Sequence, residues 1–218
     1  MKKYISLFLM LCFAFAFAQE KPAYWNEIQS LNAKKASEKL PVNAILLLGS
    51  SSFTLWQDVG DYFPTKKFIN FGFGGSRLVD VNYYIKDLLE VPTPKQILVY
   101  CGENDIAYDL EPANAAQVRE RFETLYNTLR AKYPKAQIDY ISMKHSPSRE
   151  SLWPEMKKGN AQIKEFLEGK QNTSYIEINP SIEDKDGNPK KELFQEDLLH
   201  LNKKGYQNWA QVIAPHLK

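Results

Sequence analysis

The stretch Leu46-Leu47-Leu48-Gly49-Ser50-Ser51-Ser52 joins an apolar run to three consecutive hydroxyl side chains across one glycine. The apolar run, residues 44–48, has the length of a buried β-strand. A buried strand that ends at glycine and passes serine into a turn is how α/β folds expose a nucleophile. The same residues also describe an ordinary polar loop, and their spacing is not the G-x-S-x-G nucleophile elbow. The rest of the chain decides between the two interpretations.

Apolar runs of strand length recur along the chain and alternate with helical patterns. Strands are predicted at residues 44–48, 67–70, 96–101, 137–143 and 175–178. Helices are predicted at residues 23–39, 77–89, 112–132, 152–167 and 203–213, with Pro112 in the first turn of the third and Asn202 capping the last. The first and third strands are apolar throughout. The pattern therefore predicts one α/β domain with a parallel sheet covered by helices on both faces.

The N-terminus has the features of a secretory signal peptide. Lys2 and Lys3 precede an apolar run, residues 5–17, which ends in Ala16-Phe17-Ala18. The run is short for a membrane span of about 20 residues. We therefore predict a signal peptide at residues 1–18, a domain at residues 19–218, export to the periplasm or the cell exterior, and no stable membrane insertion after cleavage.

Composition and charge exclude several classes of protein. The 218 residues are 44% hydrophobic and 25% charged, which suits one globular domain with a full core. The formal charge of +2 falls to zero when Lys2 and Lys3 are removed, so no electrostatic basis for nucleic-acid binding remains. The sequence has no H-E-x-x-H, no paired cysteines and no Walker loop, so neither a metal nor a cofactor is expected.

Polar residues follow the predicted strands where a parallel sheet gathers its loops. Ser51 follows the first strand, Gly75 the second and Asn104 the third, while Asp197 and His200 precede the last helix. Ligands of open α/β sheets bind outside the carboxyl ends of the strands, so we expect these residues to meet there. A serine, an asparagine, a glycine that permits close approach and an Asp-x-x-His pair are the components of an acyl-transfer site.

Four motifs, taken in order, resemble those of the SGNH hydrolases, also called GDSL-type esterases. They are Gly49-Ser50-Ser51-Ser52, Asn70-Phe71-Gly72-Phe73-Gly74-Gly75, Gly102-Glu103-Asn104-Asp105 and Asp197-Leu198-Leu199-His200. The resemblance covers the whole predicted domain and implies a three-layer α/β/α sandwich around a flavodoxin-like parallel sheet of five strands. Ser50 departs from the family, which usually has an aspartate there that takes no part in the chemistry. Counting from Gly49, Ser51 matches the family's nucleophile.

The resemblance also implies a role for each residue of the site. Ser51 would attack an ester carbonyl, His200 would take its proton, and Asp197 would orient the imidazole. The N–H groups of Ser51 and Gly75 and the amide of Asn104 would form the oxyanion hole. Two alternatives stay open. Asn104 could instead stabilise its own turn. The base could be His145, since it also follows a strand.

The expected activity is that of an exported serine esterase that cleaves small acyl groups, acetyl foremost, on carbohydrate. Four residues are candidate contacts for the small-molecule or carbohydrate ester: Glu103, His145, Arg149 and Trp153. One alternative is a lysophospholipase or thioesterase-type acylhydrolase. Another is a non-catalytic carbohydrate- or lipid-binding protein on the same fold. A phosphodiester hydrolase is disfavoured by the neutral charge and the missing metal ligands.

Overall fold

The computed structural model of the protein describes residues 21–218. The predicted signal peptide, residues 1–18, lies outside them, and its cleavage stays a prediction. Within the described residues, five strands form one parallel sheet in the order β2-β1-β3-β4-β5. The strands are Ile45–Gly49 (β1), Phe68–Gly72 (β2), Gln96–Tyr100 (β3), Gln137–Ile141 (β4) and Thr173–Ile176 (β5).

The strand order places a topological switch at β1. The chain moves outward from β1 to β2 and then returns past β1 to β3, so the loops after β1 and β3 diverge and leave a crevice between them. Gly49 at the end of β1 pairs in register with Gly72 of β2 and with Tyr100 of β3. The three loops that carry the predicted serine, glycine and asparagine therefore start at the same level of the sheet.

Helices cover both faces of the sheet. In chain order they are Trp25–Ser37 (α1), Ser51–Thr54 (α2), Val59–Tyr62 (α3), Leu78–Tyr83 (α4), Ile85–Leu88 (α5), Glu103–Ile106 (α6), Ala115–Lys132 (α7), Trp153–Leu167 (α8), Asn179–Ile182 (α9) and Lys203–Ile213 (α10). Three 3₁₀ segments within the described range are Pro147–Leu152, Lys191–Leu193 and Ala214–His216. The arrangement confirms the three-layer α/β fold predicted from the sequence.

The core lies in two layers because successive strand side chains point to opposite faces. Leu46 and Leu48 of β1 pack into the layer formed with α1, α4, α5, α7 and α8. Ile45 and Leu47 pack into the opposite layer, with α2, α3, α9 and α10. All four side chains are fully buried, which explains why this strand reads as one apolar run rather than an alternating one.

Several predicted boundaries were wrong, each through a specific contact. Pro112 lies before the helix, because the side chain of Asn114 accepts a hydrogen bond from the Gln117 N–H and starts α7 at Ala115. The fifth strand ends two residues earlier than predicted, because the Ser142 hydroxyl takes the N–H of Ile178 out of the ladder. The helix predicted at residues 77–89 is two short helices, and the one at 152–167 begins only after a 3₁₀ segment.

Candidate active site

The end of β1 is folded so tightly that only glycine fits before the serines. Gly49 has φ 152°, and a Cβ on it would lie 1.9 Å from the carbonyl oxygen of Tyr100. The next N–H, that of Ser50, donates to the same oxygen at 3.1 Å. The chain then turns into α2, whose first residue is Ser51. The turn thus leaves Ser51 half-buried at the switch point while Ser50 and Ser52 are buried.

Asp197 and His200 belong to one turn that is built around the carboxylate. One oxygen, Asp197 Oδ1, accepts hydrogen bonds from the N–H groups of Leu199 and His200, both at 2.9 Å. Leu198 adopts the left-handed conformation, φ 54°, that closes the turn. The side chain of Asn202 then accepts from the N–H of Gly205 at 3.2 Å and starts α10 directly after the turn. The spacing Asp-x-x-His is what lets a single aspartate bind both the backbone and the ring of His200.

The structure brings Ser51, His200 and Asp197 into one chain of hydrogen bonds. Asp197 Oδ2 lies 2.6 Å from His200 Nδ1, and His200 Nε2 lies 2.9 Å from Ser51 Oγ. Because an ionised carboxylate can only accept, Nδ1 carries the ring proton and Nε2 has its lone pair free for the serine hydroxyl. Such a histidine can accept the hydroxyl proton, which is what a serine needs to become a nucleophile.

The charge of Asp197 is well stabilised. Burial acts to raise the pKa of Asp197, but the N–H of His200, the His200 ring and the N–H of Leu199 lower it to about 2. The carboxylate is therefore ionised at neutral pH and can stabilise an imidazolium at His200.

Gly75 and Asn104 face the same crevice from the loops after β2 and β3. Gly75 has φ 68°, a conformation that favours glycine. Asn104 Nδ2 donates to the Ser76 carbonyl at 3.1 Å, and the Ser76 hydroxyl donates to the Gly49 carbonyl at 3.1 Å. Within residues 21–218, neither the Ser51 N–H nor the Gly75 N–H donates a hydrogen bond. Among the described residues, these two backbone N–H groups and the second hydrogen of the Asn104 amide are thus without an acceptor.

A charged network lies beneath Asn104. The Glu103 carboxylate accepts from Lys144 Nζ at 2.9 Å, from the Lys144 N–H at 2.8 Å and from the Tyr100 hydroxyl. Arg149 bridges to it, with Nη1 3.4 Å from Glu103 and Nη2 2.8 Å from Asn104 Oδ1. Burial opposes ionisation of Glu103, yet Lys144 and Arg149 hold its pKa below the usual value. Glu103 is 5% exposed, so the expectation that it contacts substrate is corrected.

His145 lies away from Ser51 and belongs to a different hydrogen-bonded group. Its Nδ1 contacts the Glu183 carboxylate, its N–H donates to Asn179 at 2.7 Å, and its ring centre lies 5.5 Å from that of Trp153. Among the described residues His145 makes no hydrogen bond to Ser51, so it is not placed to act as the alternative base, and its Nε2 is buried without a partner. Trp153 is half-buried, and its indole N–H donates to the Ser146 carbonyl at 2.9 Å. His145 and Trp153 thus pack beside each other, and contact of either with a substrate stays a prediction.

Asp105, the last residue of the third motif, braces the loop that carries Asn104. Its carboxylate accepts from the N–H of Leu78 and from Arg121, both at 2.8 Å, and its side chain is fully buried. Burial raises the pKa of Asp105, and the two hydrogen bonds oppose that shift. The aspartate therefore links α6 to α4 and α7 and fixes the loop that carries Asn104.

A cavity of about 450 Å³ opens beside Gly75 and Asn104, and we call it the oxyanion-side cavity. Its polar and aromatic lining includes Tyr24, Gly75, Arg77, Asn104, Tyr108 and Arg149. The guanidinium of Arg77 lies 4.0 Å from the Tyr108 ring centre. Sequence reasoning missed Tyr24, Arg77 and Tyr108. In the sequence, only their positions could have indicated that Arg77 and Tyr108 line the site: Arg77 follows Gly75 by two residues and Tyr108 follows Asn104 by four.

Residues 21–218 contain neither a membrane-spanning helix nor a cluster of metal ligands. No helix there is both long enough and apolar enough to cross a bilayer. In the same range, no group of three or more His, Cys, Asp and Glu side chains is arranged to hold a metal ion.

Solved structures share this fold. A GDSL-like lipase from Bacteroides thetaiotaomicron is 15% identical, with a TM-score of 0.74 over 87% of this chain and 96% of that one. A lipase/acylhydrolase from Enterococcus faecalis is 19% identical, with a TM-score of 0.63 over 80% and 95%. A mutant of an acetyl-xylooligosaccharide esterase from Geobacillus Stearmophilus is 13% identical, with a TM-score of 0.62 over 82% and 95%. At these identities the likeness shows the fold alone.

Sequence comparison gives the family. Among curated proteins, none matches this chain. The sequence profile of the GDSL-like Lipase/Acylhydrolase family matches residues 48–207, a range that begins in β1 and ends in α10. It therefore spans the turn of Ser51, the loops of Gly75 and Asn104, and the turn of Asp197 and His200. This protein belongs to the GDSL-like lipase/acylhydrolase family, whose members hydrolyse esters.

Proposed function

We propose that this protein is an exported serine esterase that removes small acyl groups, acetyl foremost, from carbohydrate. The observation that carries the proposal is a pair of hydrogen bonds: the Ser51 hydroxyl donates to His200 Nε2 at 2.9 Å, and His200 Nδ1 donates to Asp197 at 2.6 Å. Nucleophile and base are within direct proton-transfer distance, and the base is oriented by a third group.

In the first half of the reaction, Ser51 Oγ attacks the ester carbonyl carbon while its proton passes to His200 Nε2. Asp197 stabilises the imidazolium that forms. The tetrahedral intermediate then collapses, the bond to the alcohol oxygen breaks, and His200 returns the proton to that oxygen. The alcohol leaves and the acyl group stays on Ser51.

In the second half, water replaces the alcohol. The water oxygen attacks the carbonyl carbon of the acyl-enzyme while His200 takes a proton from that water. The bond to Ser51 Oγ then breaks, His200 returns the proton to Ser51 Oγ, and the carboxylic acid leaves. The N–H groups of Ser51 and Gly75 and the amide of Asn104 stabilise the oxyanion in both halves. One such donor contributes roughly 10²–10³-fold to kcat.

The arginine, asparagine and tyrosine side chains on one wall of the oxyanion-side cavity support a small acyl group on a polar alcohol. Arg77 and Asn104 offer hydrogen bonds, and Tyr24 and Tyr108 offer ring faces of the kind that pack on sugars. A long acyl chain needs a mainly apolar channel, because burying it against guanidinium groups would desolvate them without compensation. That one structural neighbour is an acetyl-xylooligosaccharide esterase agrees with this proposal by analogy of fold.

Export is part of the proposal and rests on the N-terminal sequence. Lys2 and Lys3, the apolar run and Ala16-Phe17-Ala18 form the three regions of a cleavable signal. Expression of the full chain in a bacterium with a separate periplasm should give mature protein that begins at Gln19. Detection of uncleaved chain in the cytoplasm alone would contradict export.

Active-site labelling tests the esterase itself. A fluorophosphonate probe should label the wild-type protein and leave Ser51→Ala unlabelled, with Ser181→Ala as a matched serine control. A series of p-nitrophenyl esters should then give the highest kcat/KM for acetate, and acetylated xylooligosaccharides should release acetate. Absence of labelling would favour a non-catalytic binding protein. A preference for esters of eight or more carbons would favour a lysophospholipase or thioesterase.

A further inference from the structure

The amide of Asn104 is held at both ends by the protein. Its Oδ1 accepts from Arg149 Nη2 at 2.8 Å, and its Nδ2 donates to the Ser76 carbonyl at 3.1 Å. An amide nitrogen carries two hydrogens, so one remains after the bond to Ser76. Because a guanidinium can only donate, its contact with the oxygen also settles which end of the amide is NH₂.

Arg149 is itself anchored. Its Nη1 lies 3.4 Å from the carboxylate of Glu103, which Lys144 Nζ also contacts at 2.9 Å. Glu103 is 5% exposed and Lys144 is 1% exposed, so this carboxylate is a fixed partner rather than a mobile surface group. A forked guanidinium can bind the carboxylate and the amide oxygen together, which an ammonium cannot do in the same geometry.

The backbone around Arg149 is tied to the opposite side of the site. Arg149 lies in the 3₁₀ segment Pro147–Leu152, and the N–H of the preceding residue, Ser148, donates to the carbonyl of Leu198 at 3.1 Å. Leu198 is the left-handed residue between Asp197 and His200. The segment therefore spans from the turn that carries His200 to the amide of Asn104.

We propose that Arg149 is a positioning residue that orients the side chain of Asn104 for the oxyanion and acts through that amide rather than on the substrate. The inference rests on the proposed esterase function. The guanidinium fixes the direction of the free N–H and, by drawing electron density from Oδ1, makes that N–H a stronger donor. Its contribution should therefore be confined to kcat and should depend on the presence of Asn104.

A double-mutant cycle tests this dependence, since residues that act through one another are not additive. Arg149→Met should lower kcat for p-nitrophenyl acetate by about 10- to 100-fold with KM nearly unchanged, less than the roughly 10²–10³-fold cost of losing a donor. In an Asn104→Ala background the same change should cost less than about threefold. An equal cost in both backgrounds, or a rise in KM alone, would show direct substrate contact and overturn the proposal.

Two further variants keep the test sharp. Arg149→Lys retains the positive charge but lacks the forked guanidinium, so it should lose most of the contribution of Arg149 to kcat. Full activity in that variant would also count against the proposal. Arg119→Met, which removes an arginine paired with Glu123 on the surface of α7, is the matched control for thermal stability and should keep normal kinetics.

A readout independent of activity separates this proposal from the esterase assignment. The Asn104 side-chain NH₂ signal in a ¹⁵N correlation spectrum, assigned by its loss in Asn104→Ala, should shift in Arg149→Lys and stay in place in Arg119→Met. An unmoved signal in Arg149→Lys would refute the positioning role. If the wild-type protein hydrolysed no ester but the signal moved, the esterase proposal would fail and the contact would stand.

Discussion

Glu27 of α1 accepts a hydrogen bond from the N–H of Gly74 at 2.8 Å, across 47 positions of sequence. Gly75 follows directly, and a Cβ placed on it would lie 3.2 Å from the Tyr24 hydroxyl. The segment before α1 is held in turn by the Tyr84 hydroxyl, which donates to the Ala23 carbonyl at 2.7 Å. The first described helix thus supports the loop that carries one of the proposed oxyanion donors.

Removing this hydrogen bond should slow the reaction and leave the protein folded. Glu27→Ala should lower kcat by a few-fold to about tenfold, less than the roughly 10²-fold cost of a 1 Å displacement in a site. Its free energy of unfolding should fall by only about 1 kcal/mol, because the bond is exposed. Steady-state kinetics and thermal melts check both, with the exposed Glu38→Ala as control. Unchanged kinetics in Glu27→Ala would show that the loop holds its shape without α1.

The register of the three serines can be tested directly. Ser51→Ala should lose activity by a factor on the order of 10⁶, because the nucleophile is gone. Ser50→Ala and Ser52→Ala should keep measurable turnover, since the hydroxyl that His200 Nε2 contacts is that of Ser51. Hydrolysis of p-nitrophenyl acetate by the three variants decides the matter. Substantial activity in Ser51→Ala would overturn the assignment.

His200 and His145 should behave differently when each is replaced by alanine. His200→Ala should be inactive, because it removes the only ring within 2.9 Å of Ser51 Oγ among the described residues. His145→Ala should lower the melting temperature, since it removes the ring that contacts the Glu183 carboxylate and leaves that carboxylate without this partner. Its kcat should fall by less than about tenfold. A healthy His200→Ala would mean that the base has been assigned to the wrong residue.

Asn104 can be tested for the two roles that the sequence left open. As an oxyanion donor, Asn104→Ala should lose about 10²–10³-fold in kcat while the melting temperature changes little. Asn104→Asp should be at least as damaging, because it keeps the shape but places a carboxylate beside the developing charge. The backbone donors remain, so Asn104→Ala should stay more active than Ser51→Ala. A normal kcat with a lowered melting temperature would assign Asn104 to the turn alone.

The lowered pKa of Asp197 leads us to expect that the protein loses stability in acid. Its pKa in the folded protein is about 2, below the roughly 3.9 of an unfolded chain. A carboxyl whose pKa is depressed by folding stabilises the protein above the unfolded value, and that contribution disappears as the pH falls toward 2. Melts of wild type and Asp197→Asn should therefore differ most above pH 4 and converge near pH 2. A constant difference across that range would show that the carboxylate charge does not stabilise the turn.

Local pattern determined much of the fold. Residues 44–48 and 97–101 are apolar at every position, and this is why both could be recognised as strands buried on two faces. The helix at Lys203–Ile213 was predicted with its observed bounds, because Asn202 is a strong cap and the apolar spacing is regular. The glycines at 49 and 75 likewise marked turns that require unusual backbone angles.

Local pattern also predicted that the motif residues meet, because parallel strands place the loops at their carboxyl ends along one edge of the sheet. What surrounds them was decided by tertiary structure. Arg149 meets Asn104 across 45 positions and Glu27 meets Gly74 across 47, and no periodicity records such contacts. Burial of Glu103 and His145 was likewise invisible, because a charged side chain reads as exposed until a distant partner offsets its desolvation. The sequence by itself thus determined the sheet and the order of the motifs, while the packing of distant segments decided which polar side chains face the crevice and which support it from below.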